Sequence, residues 1–413
     1  MLYKVAKLSL LNRKGSVLLT ILAIATSIYV MLAVEHIKQQ AKTNFTNSVS
    51  GVDLIVGART SDLNLLLYSV FRIGSPTNNI SWQSYRDLAN HQSVKWAVPL
   101  SLGDSHKGYR VLGTTPGYFS QFSYGDAQAL NFKQGQSISR IYDVVLGYEV
   151  AKSLNYQIGD SLFLSHGLGS TSFKHHDEFT FTVVGILSPT GTPVDQTVHT
   201  TLEGLEAVHQ PPATKIANNI ALTDLTLTQQ NKLQPDSVTA VLVGLTSRIK
   251  TFSLQRQINT SSAEPLLAIL PGATLAQLWH SLGTIEKVLQ VIAILVLVAA
   301  ILGLSAMMLS SIRERQREIQ LLRMIGASYP YISWLIALEA LLITLVACIA
   351  AITLLLLTLF SFQDLLLAQY GLSLSLDIFT SGSFTIIASI FGATILAVVP
   401  GIYQALNKSS HQA

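Results

Sequence analysis

Four stretches of the chain carry no charge over the length that a bilayer-crossing helix requires. They are Gly15–Val34, Val288–Ile312, Ala340–Gln363 and Ile378–Asn407, the last centred on Phe384–Tyr403. A helix rises about 1.5 Å per residue, so about 20 apolar residues cover a hydrocarbon layer of ~30 Å. The pattern predicts spans at 15–34, 288–312, 332–360 and 384–404. The first follows a basic leader, as a signal peptide does. Its apolar run exceeds the ~7–15 residues of a signal core and no clear small-residue cleavage site follows, so we read an uncleaved anchor.

The polar stretches between these runs set the orientation. Lysine and arginine number 27 against 23 aspartates and glutamates, for a net charge of +4. Residues 35–287 are balanced, with eighteen of each sign. The excess sits at Lys4, Lys7, Arg13 and Lys14, at Arg313, Arg315, Arg317 and Arg323, and at Lys408. Bases at the edges of apolar runs mark the cytoplasmic side of a membrane protein, not a nucleic-acid surface. The N-terminus (1–14), the 313–331 connection and the tail (405–413) are therefore expected inside. The 361–383 connection has Asp364 and Asp377 and no base, and falls outside. The long 35–287 segment is then extracytoplasmic. Only 12% of residues are charged, against roughly 25% in soluble domains. That argues against one soluble globule, and 49% hydrophobic residues exclude disorder. The single cysteine, Cys348, excludes an internal disulfide and a cysteine-based zinc cluster.

Residues 35–287 are long enough for one or two domains with their own cores, and they read as mixed α+β. Strands are expected at Val52–Val56, Val94–Val98, Tyr109–Leu112, Ser161–Leu164, Phe179–Leu187 and Val238–Leu245. Ser81–His91 opens on serine and spaces Trp82, Tyr85 and Leu88 as a helix does. Asp143–Leu154 reads as strand, turn and short helix, and Leu202–Val208 as a short helix. Leu63–Ile73 is apolar but too short to span. We read a buried helix, the alternative being an exposed face that touches lipid or an amphipathic cargo. Glu35–Ser48 is helix-compatible. Leu275–Gln290 carries an apolar stripe that runs into the second span, either as a stalk against the helix after span one or as an amphipathic helix lying on the domain.

The chemistry-bearing motifs are few. No G-x-x-x-x-G-K-[ST] occurs, nor any Gly-Lys dipeptide, so the sequence holds no phosphate loop. H-E-x-x-H, G-x-S-x-G and G-x-G-x-x-G are absent as well, so nothing supports hydrolase or dinucleotide chemistry. His166, His175, His176 and Asp177 lie close together, and imidazole with carboxylate suits zinc or copper. Their segment has the Gly, Ser and Thr content of a hairpin loop, so we read solvated loop residues, with a metal site as the weaker alternative. Glu339 stands in apolar sequence, where a carboxylate costs about 2.5–3.5 kcal/mol unless it reaches the interface or a partner.

The segment after span two, Arg313–Gly326 (RERQREIQLLRMIG), combines charge with an apolar edge at Ile319, Leu322 and Ile325. Glu314 and Arg317 can pair at i,i+3. Gly326 is placed as a helix stop, and Ser328-Tyr329-Pro330 turns the chain into span three. By composition alone this is either a basic topology anchor or a docking element.

Here the sequence resembles the MacB/FtsX-like ABC transporter permeases, also called type VII ABC transporters or mechanotransmitters. Their run after span two is similar to E-R-x-x-E-I-G-x-x-x-x-x-G-A, with an acidic residue about a dozen positions later. Glu314, Arg315, Glu318, Ile319, Gly326, Ala327 and Glu339 match it, and Gln320 stands where glycine is usual. Asn12–Ala25 looks like the family's first span, and Val144–Asp160 with Phe181–Leu187 like its periplasmic core domain. The resemblance implies four transmembrane helices with a large α+β extracytoplasmic domain inserted between spans 1 and 2, and an FtsX-like permease domain at about 288–408. It implies a multi-pass protein of the bacterial inner membrane with both termini cytoplasmic. It also implies a homodimer, or a heterodimer with a related permease, bound to a separate ABC ATPase that supplies ATP and magnesium. The chain itself would be neither an enzyme nor a direct cofactor binder, and no nucleic acid is expected. Glu314, Arg315, Arg317, Glu318, Ile319, Leu322, Arg323, Gly326 and Ala327 would couple to the ATPase. The implied role is export or release of a periplasmic or membrane-derived substrate, with a periplasmic adaptor or delivery protein as a further possible partner. Two alternatives remain: a mechanotransmitter that regulates a periplasmic enzyme without moving cargo, and a membrane-anchored receptor with no ATPase.

Overall fold

The computed structural model describes residue 10 and residues 14–48, 50–166, 179–209, 234–314, 321, 324–370 and 375–410. The chain divides into a helical unit (Met1–Gln40, Leu282–Gln363 and Leu374–Ala413) and a sheet domain (Ala41–Ser281 with Asp364–Ser373).

Nine strands make the main path of the sheet. They are β1 (Leu54–Ala58), β2 (Val94–His106), β3 (Tyr109–Thr114), β4 (Phe132–Gly135), β5 (Asp143–Leu146), β6 (Phe181–Leu187), β7 (Thr197–Thr201), β8 (Ala240–Leu245) and β9 (Leu266–Ile269). They stand in the order β9-β1-β8-β2-β3-β7-β5-β6-β4. The sheet is mixed: β3 with β7 and β5 with β6 run parallel, and the other neighbours on this path antiparallel. β2 joins its two halves. Val94–Leu100 pairs with β8, and Ser101–His106 with β3.

The helices of the domain are α2 (Asp62–Ser69), α3 (Trp82–Ala89), α4 (Tyr148–Leu154), α5 (Leu202–His209) and α6 (Thr251–Asn259); α1 (Lys14–Asn47) precedes them. Strand residues alternate between two faces. Ile55, Val145, Leu242 and Ile269 enter one core, together with Leu65, Leu66 and Tyr68 of α2. Leu54, Val56, Val241 and Val243 enter a second core with Leu88 of α3 and Leu254 and Ile258 of α6. Val144, Leu146 and Val183 enter a third with Val150 of α4 and Leu205 of α5. A sheet covered on both faces needs unbroken apolar strands, and LIVGA at β1 and AVLVGL at β8 are buried at every position.

The predicted helix start at Ser81 is present as a hydrogen bond, and α2 has a similar one at Ser61. The Ser81 side chain accepts the Ser84 N–H at 3.2 Å, and Ser61 accepts that of Asn64 at 3.1 Å. Asp143–Leu154 is strand then helix, as its sequence indicates. In Leu63–Ile73 the buried-helix reading holds for α2, where Leu65 and Leu66 are fully buried, whereas Ile73 is exposed. The pattern missed α6 and the strands β4, β7 and β9. In α6 the apolar stripe is reduced to Leu254 and Ile258, and Phe252 lies outside it, 70% exposed.

The helical unit is built from long, unbroken helices: α1, α7 (Pro271–Glu314), α8 (Tyr329–Tyr370) and α9 (Ser381–Ser410). Each contains a stretch long and apolar enough to cross a membrane: Lys14–Asn44, Lys287–Ser310, Tyr329–Gln363 and Ser381–Tyr403. Residues 361–370, assigned to a connection by hydropathy, continue α8. α7 runs 44 residues without interruption. Its start, Pro271–Ser281, belongs to the sheet domain, where Leu275, Leu278 and Trp279 pack on the first core. The apolar stripe therefore begins on the domain and belongs to the same helix as the second span. Ala340, Ala347 and Ala351 are fully buried along one face of α8, where small side chains let helices approach. Ser305 Oγ donates to the Ala397 carbonyl at 2.9 Å, and the Thr344 and Thr394 hydroxyls meet at 3.0 Å, tying α7 and α8 to α9. Leu18, Leu19 and Leu22 on α1 face outward, as lipid contact requires.

Gly147 caps α4, and a Cβ there would collide with the backbone of Val194 and Asp195. Gly147→Ala is expected to destabilise the sheet domain by several kcal/mol, on the order of the overpacking costs seen in cores. Gly103→Ala, with open space around it, should stay within about 1 kcal/mol. Chemical denaturation of the detergent-solubilised protein, followed by tryptophan fluorescence, compares the two.

Candidate functional site

The connection between α7 and α8 is the first region of interest. Glu314 ends α7, and Leu321 and Met324 are again helical. The Ile325 N–H donates to the Leu321 carbonyl at 3.1 Å, closing a last turn. Gly326 follows at φ +98°, a conformation that side chains strain to reach, so the predicted stop is a left-handed glycine with open space around it. The Ser328 carbonyl then accepts the N–H groups of Tyr331 and Ile332 at 3.1 and 3.3 Å, and α8 begins with Pro330 in its first turn. Leu321, Met324 and Ile325, three apolar residues at i, i+3 and i+4, are 57, 75 and 81% exposed. Sequence reading had placed the apolar edge at Ile319, Leu322 and Ile325. Of the expected coupling residues, Arg315, Arg317, Glu318, Ile319, Leu322 and Arg323 lie outside the described residues. Ala327, next to Gly326, is half-buried.

Glu339 sits ten residues into α8, about 15 Å along the axis from Tyr329. It is 3% exposed, beside Ile336, Ala340 and Ile343 of the buried core. A second feature of this unit is a cavity of about 300 Å³ lined by α1, α7 and α9. Glu35 and Lys38, paired at 3.6 Å, stand on its wall.

In the sheet domain, His175, His176 and Asp177 lie outside the described residues, and His166 closes a two-residue strand, Ser165–His166, that pairs with β2. Among the described residues no group of three or more His, Cys, Asp or Glu side chains is close enough to hold a metal ion. The structure instead shows a set of buried polar groups that sequence reading missed. Asp195 accepts the Thr190 N–H and hydroxyl, both at 2.9 Å, and the Gly191 N–H at 2.7 Å. Burial pushes its carboxyl up to about 6, and these donors hold it from rising further. Asp143 accepts the N–H groups of Ser139 and Arg140 at 2.7 and 2.8 Å. Both carboxylates tie loops to the strand ends.

His199 on β7 is fully buried, flanked by the rings of Tyr118 and Phe119 at 5.4 and 5.7 Å. Its Nδ1 lies 3.3 Å from the Val145 carbonyl. Arg72, at φ +60°, donates to the Ser69 carbonyl and, at 3.5 Å, to the Tyr118 hydroxyl. Burial, with the Arg72 charge adding to it, lowers the His199 pKa to about 3. This imidazole is therefore neutral at every physiological pH. At the end of α5, His209 faces the buried carboxylate of Asp104. The hydrogen bond to Asp104 raises its pKa against the effect of burial.

A family model for the MacB-like periplasmic core domain matches residues 15–261, and one for the FtsX-like permease C-terminal region matches residues 290–412. The chain belongs to the MacB/FtsX-like permease family. It is a multi-pass membrane protein with the role of an ABC transporter permease. Two solved structures are similar to part of this chain. The periplasmic region of MacB from Actinobacillus actinomycetemcomitans is 11% identical over 57% of this chain and 97% of that one, with a TM-score of 0.34. The extracellular domain of the noncanonic ABC-type transporter YknZ from Gram-positive bacteria is 11% identical over 52% of this chain and 98% of that one, with a TM-score of 0.29. No curated protein sequence matches at a significant level.

His199 has a pKa near 3 when folded against 6.5 unfolded, so the folded state binds fewer protons between those values. Its contribution is complete above pH 6.5 and is lost as the pH falls toward 3, on the order of a few kcal/mol. His199→Gln is expected to flatten the fall in domain stability between pH 7 and 4.5, measured by urea titration in detergent. Equal slopes for variant and wild type would remove His199 from the acid response.

Proposed function

We propose that the chain is the transmembrane subunit of an ABC transporter in which a separate ATPase docks on the connection between α7 and α8. ATP-driven movement of that ATPase is relayed to the sheet domain, which drives export or release of a periplasmic or membrane-derived substrate. Permeases of this family work with ABC ATPase partners in general. The observation that carries the reading is the connection itself. Leu321, Met324 and Ile325 are exposed beside a run of four arginines and two glutamates, between two membrane-type helices. Water does not favour such a cluster. A protein partner that buries the three apolar side chains and pairs with the rim charges does.

The relay needs a stiff element, and α7 supplies one. The helix that ends at this connection is the one whose first turns pack on the core of the sheet domain. Glu339 is read as a buried polar anchor within α8, ten residues beyond its start at the connection. The missing phosphate loop puts nucleotide binding in the partner, with ATP and magnesium held there. A second permease, identical or related, completes the assembly in this reading. The bacterial inner membrane is the location, with both termini on the cytoplasmic side.

The test is affinity isolation in mild detergent, with mass spectrometry of what co-purifies. A P-loop ATPase is expected with the wild-type chain. Recovery should fall at least tenfold for the double variant Glu318→Arg, Arg323→Glu, which reverses charge without removing it. Absence of an ATPase from both samples, where a related permease retains its own, would overturn the reading in favour of a stand-alone receptor.

A further inference from the structure

A cleft of about 610 Å³ opens in the sheet domain between α4 and β4. That is within the range of ~300–1,000 Å³ that ligand sites occupy. It exists because α4 covers only part of its face of the sheet. Val150 of α4 packs over β5 and β6, but β4 extends the sheet one strand further, and Lys133, Gln134 and Gly135 stay exposed there. Lys133 and Gln134 form one wall, and Tyr148 and Lys152 of α4 the other. The turn after α4 closes an end with Asn155, Tyr156 and Gln157. Ile158 and Ile186 add an apolar patch.

The lining is positive. Lys133 Nζ stands 4.9 Å from the centre of the Tyr148 ring. Lys107 Nζ stands 5.1 Å from that of Tyr156 and donates to its hydroxyl at 3.1 Å. A ring face holds an ammonium in place without neutralising it. Lys152 is paired at 3.7 Å with Glu149, a buried carboxylate. No carboxylate lines the cleft. Asp160, just beyond its end, accepts the Gln157 N–H at 2.7 Å.

The remaining polar groups are uncommitted. Among the described residues, the side-chain amides of Gln134, Asn155 and Gln157 make no hydrogen bond to the protein. Each offers both a donor and an acceptor, as a peptide group does. They are spread over a wall and an end of the cleft, whereas a small anion needs donors that converge on one point. β4 is also the last strand of the sheet, and among the described residues no strand pairs with its outer edge. An extended chain docks on such an edge through main-chain hydrogen bonds, while neighbouring pockets read its side chains.

We propose that this cleft binds an acidic peptide segment of a partner protein in extended conformation. Lys133 and Lys107 face its carboxylates, the three amides and the edge of β4 hold its main chain, and Ile158 and Ile186 take an apolar side chain. The site needs no nucleotide and does not depend on where an ATPase docks.

The test uses the full-length protein in detergent and a fluorescein-labelled octapeptide of alternating glutamate and valine, followed by fluorescence anisotropy. The wild type is expected to bind it at least tenfold more tightly than the same peptide with glutamine for glutamate. Lys133→Glu should weaken binding at least tenfold and Lys133→Gln less, while Lys95→Glu, an equal change of charge on exposed β2 surface, should leave it unchanged. Raising the salt from about 50 to about 300 mM should weaken it several-fold, as for exposed charges. With peptide bound, hydrogen exchange should slow in Phe132–Gly135. Lys133 is exposed, so its variants are expected to fold, and circular dichroism checks them. The proposal is overturned if the wild type binds neither peptide or binds both alike, or if folded Lys133→Glu binds as the wild type does. Displacement of the peptide by an equal concentration of glutarate would make this a small-anion pocket instead, and unchanged exchange in β4 would place the peptide elsewhere.

Discussion

Hydrocarbon offers the peptide backbone no hydrogen-bond partner, and the helical unit follows from that constraint. Each N–H and C=O within the apolar layer must be satisfied within the protein, and a helix does so within a single segment. The constraint explains why α1, α7, α8 and α9 run without a break through their apolar stretches, even where Pro400 removes a donor from α9. It also limits where the chain can turn. Between α7 and α8 the turn is made by Gly326, outside the apolar runs, where exposed backbone can meet water or a partner protein. Many hydroxyls inside the unit bond back to their own helix, as Thr26 does to the Leu22 carbonyl, and a few join helices, such as Ser305 to Ala397 and Thr344 to Thr394.

The same constraint made this half of the molecule legible. Twenty apolar residues in a row have few alternatives to a membrane helix, and all four predicted spans lie within the observed helices. The sheet domain was legible where a local signal was strong. Ser81 caps a helix through its own side chain, and DVVLGYEVAKSL contains a strand, a glycine and a helix in reading order. The strand order was not legible, because it depends on which apolar faces meet, and β1 pairs with β8 and β9 from the far end of the domain. α6 escaped because two buried residues make too narrow a stripe.

The site divides in the same way. Gly326 was legible as a helix stop because only its type tolerates that backbone. Met324 and Leu321 were passed over, since an apolar residue in sequence gives no sign of whether it will be covered. The buried polar groups were invisible for another reason. Asp195 meets Thr190 through a short loop, but Asp104 and His209 come from distant segments, and only the fold brings them together.

The division of β2 between two sets of partners has a mechanical consequence. Packed side chains yield under shear, and their grip depends on how well each pair fits. A single strand that is edge-bonded to β8 in its first half and to β3 in its second links the two regions by covalent bonds. A pull applied near Val94 is carried toward His106 as tension in one main chain, through the irregular pairing between Leu102 and Ser105. Load that entered this domain at one side would thus reach the other through the backbone of a single strand.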